Sequence, residues 1–208
     1  MVGPNSPNPD SMQAERPDSE RGNRSTRTLT PRRTLNASDY DLQTGLINRK
    51  AFLDRLTDAV RYHRSHRGSF ALLLLRMDDL ESISERYGNG IAEQVIGKYA
   101  EQLRTGVRST DTVARIGEDQ FAVILEGIME PSKAQGVADR LAKRLAKPIM
   151  AKGALLQVLS DMGYALYPQE GIEAKAIFER ADQATQDSRG NRTPNTQMRP
   201  ARRLTSVA

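Results

Sequence analysis

With 208 residues the chain has room for one domain of ordinary size plus tails, and its longest apolar run, Phe70 to Leu75, falls far short of the ~20 residues that span a bilayer. It contains no cysteine, which excludes disulfides and thiolate metal sites and fits a cytoplasmic protein. The formal net charge of +5 is carried by one stretch: residues 189–208 hold five Arg and no acid, which leaves 26 of the 31 basic residues against all 26 acids in 1–188.

Residues 1–38 are rich in Pro, Ser, Asn, Asp and Arg without apolar periodicity, too polar to offset their ordering entropy, and read as a disordered arm. No apolar stretch follows Met1, so no secretory leader is expected. Asp41 to Arg49 reads as a capped turn that launches a helix, on which Phe52, Leu56, Ala59, Val60 and His63 recur at helical spacing. His63 has no metal-type partner at i+4 and is expected at the helix rim. Ser69 to Met77 is continuously apolar, as suits a central strand covered on both faces. A short helix through Ile83 and Tyr87 breaks at Gly88-Asn89-Gly90, and a longer one shows Ile91, Val95, Ile96, Tyr99 and Leu103 on one face.

Arg108 to Leu125 then reads as two strands joined at Gly117-Glu118, a two-residue hairpin loop in which Gly117 takes φ > 0. Glu118, Asp119 and Gln120 are the polar side chains presented there. Val137, Ala138, Leu141 and Leu145 line another helix that ends before Pro148. Leu155 to Tyr167 is a single strand candidate, and Ala176, Ile177, Ala181 and Ala184 mark the last helix. The domain therefore spans 39–188, and 189–208 is a basic, disordered tail. That tail reads as solubilising; it has no interleaved aromatics, and nucleic acid is not an expected partner.

The hairpin, Arg115-Ile116-Gly117-Glu118-Asp119-Gln120-Phe121, resembles the signature of the GGDEF family of diguanylate cyclase domains, with two of its five letters changed. Asp41-Leu42-Gln43-Thr44-Gly45-Leu46-Ile47-Asn48-Arg49 resembles the family's opening motif, and Ala181-Asp182-Gln183-Ala184 its closing one. The resemblance implies an α+β, palm-like fold shared with nucleotidyl cyclases, a mixed five-stranded sheet wrapped by helices.

It also implies a damaged active site. Condensing two GTP molecules needs divalent metal on carboxylates and donors for phosphate. The family's principal metal Asp is Arg76 here, its phosphate-facing Lys is Glu81, and its guanine-reading Asn is Ser84. Asp78 matches a second acid that is not the principal ligand, and Ala92-Glu93 replaces a Gly-Asp pair. In the signature, Gly117, Asp119 and the altered Glu118 and Gln120 leave Asp119 as the one carboxylate at a metal position. No catalytic residues, no metal site and no resident cofactor are expected, Mg2+ entering only with residual nucleotide binding.

A second feature of the family, an Arg-x-x-Asp product site, matches Arg108-Ser109-Thr110-Asp111, with Arg140 from the following helix as the additional arginine. An Arg fork donates to guanine O6 and N7, and a carboxylate accepts from the base. The resemblance thus implies a c-di-GMP receptor that signals to a partner protein, with a homodimer among the assemblies. The alternative is a protein-interaction or dimerisation module that regulates an active cyclase or phosphodiesterase without nucleotide. Residual cyclase activity and GTP binding rank below both. The chain shows no sensor or phosphodiesterase domain, so its output is expected to pass through a partner.

Overall fold

The apolar run becomes the central strand β1 (Phe70–Met77) in the computed structural model, which describes residues 29–31, 34–78 and 80–190. It lies between β3 (Gln120–Glu126) and β6 (Ser160–Tyr167), with β2 (Thr112–Arg115) completing the order β2-β3-β1-β6. Every pairing is antiparallel. Alternate β1 residues enter two cores: Ala71, Leu73 and Leu75 on one face, Phe70, Leu72 and Leu74 on the other. Each fully buried Leu or Phe stabilises by about 1.5–3 kcal/mol relative to exposure, so this one strand is a main contributor to the core.

Helices α2 (Leu80–Tyr87), α3 (Asn89–Gly106) and α4 (Pro131–Leu145) cover the first face; α1 (Arg49–His66) and α5 (Ala174–Gly190) cover the second. The stripes on α1 and α3 match the expected faces, and Asn48 caps α1 by accepting from Ala51 N–H at 3.0 Å. The α+β, palm-like class is as expected. The sheet itself has four antiparallel strands among the described residues; at the β2 edge a fifth, parallel partner is reduced to one bridge, Ile47 to Ala114.

Four local expectations are corrected. First, part of the segment read as a disordered arm is packed: Thr30 is 6% exposed, Arg55 Nη1 donates to Pro31 O at 2.8 Å, and a 3-10 turn forms at Ala37–Asp39. Second, His63 is not at a rim. It is 1% exposed, with Nε2 2.8 Å from Glu126 Oε2 and 3.2 Å from Thr30 Oγ1, so that nitrogen has buried polar partners, while Nδ1 is buried without one among the described residues. Third, the single strand Leu155–Tyr167 is interrupted. Its start pairs backward as β5 (Ala154–Leu156) with β4 (Ile149–Ala151) across Lys152-Gly153, both at positive φ, the geometry of a tight hairpin. Fourth, α5 continues through Arg189 to Gly190, past the expected domain end. The remainder of both expected arms, 1–28 and 191–208, lies outside the described residues.

Candidate functional site: a cleft at the hairpin loop and a turn at its opposite end

Where β1 ends, its last residues meet the β2–β3 loop, the start of α2 and the first turns of α3 around a cleft of about 1090 Å³. Arg76, Asp78, Glu81, Ser84, Ala92, Glu93, Glu118 and Asp119 all line it. These are the positions that the sequence assigns to one site, and the fold brings them together from three elements and a loop. The loop is wider than expected. The amides of Ile116 and Gly117 both donate to Gln120 O, at 2.9 and 3.3 Å, so Gly117-Glu118-Asp119 turns without a left-handed residue, and Gly117 has no positive φ. Met77 N–H donates to Asp119 O at 2.8 Å and closes the loop onto β1.

The charges in the cleft are Asp78, Glu81, Glu93, Glu118 and Asp119 against Arg76, Arg115 and Arg189. Arg76 stands in register with Gln120 on one side and Asp161 on the other, which puts the three on one face of the sheet. Asp161 is 1% exposed, and Arg189 Nε approaches its Oδ2 at 4.0 Å. Among the described residues, no group of three or more His, Cys, Asp or Glu is placed to hold a metal ion. Sequence reasoning missed both Asp161 and Arg189. The available signal was an acid inside the apolar alternation of β6; Arg189 was assigned to the tail.

Arg115 is the loop's fastening. Its Nε donates to Gly117 O at 3.2 Å and Nη2 to Glu118 O at 2.9 Å. Nη1 reaches the opening motif, donating to Asp41 Oδ1 at 3.3 Å and Gln43 Oε1 at 2.5 Å. Gln43 thus supplies an acceptor. Burial pushes the Asp41 carboxyl up, but the Thr44 hydroxyl and amide, together with the Arg115 cation, outweigh it and hold the group below its usual range.

At the other end of the hairpin, Arg108 and Asp111 form a closed turn. Asp111 N–H donates to Arg108 O at 3.0 Å, and Arg108 N–H donates back to Asp111 Oδ2 at 2.9 Å. Glu126 N–H donates to Asp111 Oδ1 at 3.2 Å, tying the turn to the end of β3. The Arg108 side chain is exposed and makes no hydrogen bond or ion pair with a described residue. Arg140 Nη2 donates to Gly106 O at 3.4 Å, two residues before Arg108, so the third predicted residue is anchored at the same end of the sheet. A second cleft, of about 520 Å³, opens beside the turn, lined by Arg108 and Asp111 but not by Arg140.

The family described as diguanylate cyclase, GGDEF domain, matches residues 38–194. Among curated relatives, the bifunctional diguanylate cyclase/cyclic di-GMP phosphodiesterase MucR of Pseudomonas aeruginosa is 31% identical over 145 residues, covering 70% of this chain and 21% of the relative. The diguanylate cyclase TpbB of the same organism is 32% identical over 146 residues, 70% of this chain and 34% of the relative. The chain therefore spans about a fifth to a third of the length of these relatives. A solved structure comprising only the GGDEF domain of TpbB superposes with a TM-score of 0.71 at 30% identity, covering 74% of this chain and 90% of that one. A sensory box/GGDEF family protein from Caulobacter crescentus gives 0.70 at 28% identity, covering 74% and 99%. Among the described residues, no helix is long and apolar enough to cross a membrane.

Proposed function

The chain belongs to the diguanylate cyclase GGDEF domain family, and on that premise we propose that it does not make the cyclic dinucleotide but binds it, as a c-di-GMP receptor acting at the turn Arg108–Asp111. Phosphoryl transfer between two triphosphates requires divalent cations gripped by carboxylates and positive groups around the phosphates. The donor set facing the cleft does not fit magnesium: Arg76 projects a guanidinium where the strand end meets the loop, and hard cations need oxygen ligands. Glu81 and Glu118 add negative charge to the same walls, which opposes a polyphosphate.

The observation that carries the receptor reading is the Arg108 guanidinium, exposed and unpartnered among the described residues on a turn whose backbone is fixed from both sides. A rigid mount with an idle fork suits a guanine edge, because little ordering entropy remains to be lost on binding. Arg140 supports it from the neighbouring helix. On this reading the signal then passes to a partner protein. Isothermal titration with c-di-GMP is expected to give micromolar or tighter binding that Arg108→Ala abolishes, alongside no conversion of GTP in the presence of Mg2+. Absence of heat at millimolar ligand, or formation of the cyclic product, would contradict the proposal.

One observation favours a second reading. Both Asp111 oxygens already accept backbone N–H groups, so the turn forms without any ligand. In a nucleotide-independent interaction module that would be the whole role of Asp111. Partner capture indifferent to c-di-GMP and to Arg108→Ala would select this version.

A further inference from the structure

The cleft beside the turn has a composition suited to more than a single arginine contact. Its floor is apolar, with Leu46, Ile47 and Ala51 buried beneath it. Leu35 and Tyr40, from the segment that precedes α1, form one wall, and Tyr40 is 39% exposed. Arg104, in the last turn of α3, and Arg108, just beyond it, stand at the cleft with exposed side chains. Neither guanidinium has a hydrogen-bond or ion-pair partner among the described residues. Both oxygens of Asp111, the carboxylate among the described residues that line the cleft, accept from backbone amides, while Arg55, Arg104 and Arg108 make the lining net positive.

We propose that Arg104 and Arg108 jointly grip a phosphate of a nucleotide whose base lies along the Leu35–Tyr40 wall. Two guanidinium forks can share the oxygens of one phosphodiester, each through paired N–H donors. An aromatic face beside an apolar floor accepts a base without regard to its hydrogen-bonding edge, which leaves that edge for Arg108 and Asp111. The volume, about 520 Å³, lies in the usual range of small-molecule sites. The carbonyl end of α3 would by itself repel an anion, and Arg140, donating to Gly106 O, covers part of that end. Arg140 is on this account a positioning residue that makes the local field tolerable for phosphate. The proposal rests on the reading of the turn as a nucleotide site and extends it by naming Arg104 and Tyr40.

Titration calorimetry on the full 208-residue chain tests it, with c-di-GMP and linear pGpG as probes. Arg104→Gln is expected to weaken c-di-GMP by about tenfold or more and Tyr40→Ala by several-fold, with Arg104→Lys in between because it keeps the charge but loses the fork. Arg104 is exposed on a helix, so unchanged thermal melts are expected to accompany these losses. Wild-type affinity in Arg104→Gln and Tyr40→Ala would overturn the clamp and leave the receptor reading standing. If only pGpG binds, and does so through Arg104, the receptor reading falls and the clamp stands. If neither probe gives heat at millimolar concentration, both are overturned.

Discussion

Arg76→Asp places an acid at the end of β1 and makes a sharp test of the electrostatics there. Arg76 is directly opposite Asp161 across the β1–β6 ladder, and Asp161 is 1% exposed. Directly opposed side chains have Cβ atoms about 5 Å apart. Two unit charges at about 5 Å and an effective dielectric of about 20 interact by roughly 3 kcal/mol. The substitution therefore turns a neighbour of opposite sign into one of like sign, with Arg189, 4.0 Å from Asp161, left as the remaining cation. Relative to the neutral control Arg76→Gln, we expect a loss of about 3 kcal/mol at pH 7, or on the order of 6–12 °C in melting temperature. Repulsion raises the pKa of a carboxyl in the folded variant above its unfolded value of about 3.9. A raised folded pKa means that the penalty is complete above it and fades as pH falls through it, so the deficit should shrink from pH 7 toward pH 4. Urea unfolding of both variants at several pH values measures this. Equal stability of Arg76→Asp and Arg76→Gln at pH 7 would refute the pairing of Arg76 with Asp161.

Three further outcomes follow from the same geometry. Arg115→Ala removes the bonds to Asp41, Gln43 and two loop carbonyls and should cost about 2 kcal/mol in urea unfolding; a change below about 0.5 kcal/mol would contradict its role as the loop's fastening. Asp41 titrates low in the fold, so its contribution is present above the unfolded pKa and is lost as pH falls through the folded one. The stability gap between wild type and Asp41→Asn should accordingly be widest near neutrality and close below about pH 4, and a pH-independent gap would contradict it. Gly163→Ala places a Cβ 2.2 Å from Thr185 N and 2.4 Å from Ala184 C, both backbone of α5, so the helix must shift; a loss of about 2 kcal/mol or more is expected, and wild-type unfolding would show that α5 does not sit that close.

What the sequence revealed and what it concealed divide along the distance between interacting residues. The central strand was legible because Phe70 to Leu75 is an apolar run of strand length, and a strand covered on both sides buries six consecutive apolar residues. The cleft was legible as a set of positions, since the resemblance supplied an order and the fold gathered that order around one loop. His63 was misplaced because its partners, Glu126 and Thr30, are 63 and 33 residues away, beyond any periodicity. Asp161 escaped for a related reason. Its importance lies in the register of β6 against β1, and a slip of one residue would have turned it to the opposite face. The β4–β5 ribbon was hidden by a continuous alternation that masked the Lys152-Gly153 turn.

The two ends of the hairpin are held by separate sets of contacts. In this chain the loop does not need a metal ion to hold its shape, because Arg115 binds two of its carbonyls and Met77 N–H a third. Asp161 stands in register with Arg76 on the next strand and puts a carboxylate on the same face of the sheet. Both features lie at the loop end of β2. The turn at its other end depends on neither; Asp111 is held by Arg108 and Glu126, across a strand only four residues long. Substitutions at the loop end are therefore expected to leave the geometry of the turn intact. On the receptor proposal, this turn, with Arg104 and Arg108 beside it unpartnered among the described residues, is the part of the molecule arranged to meet an anion.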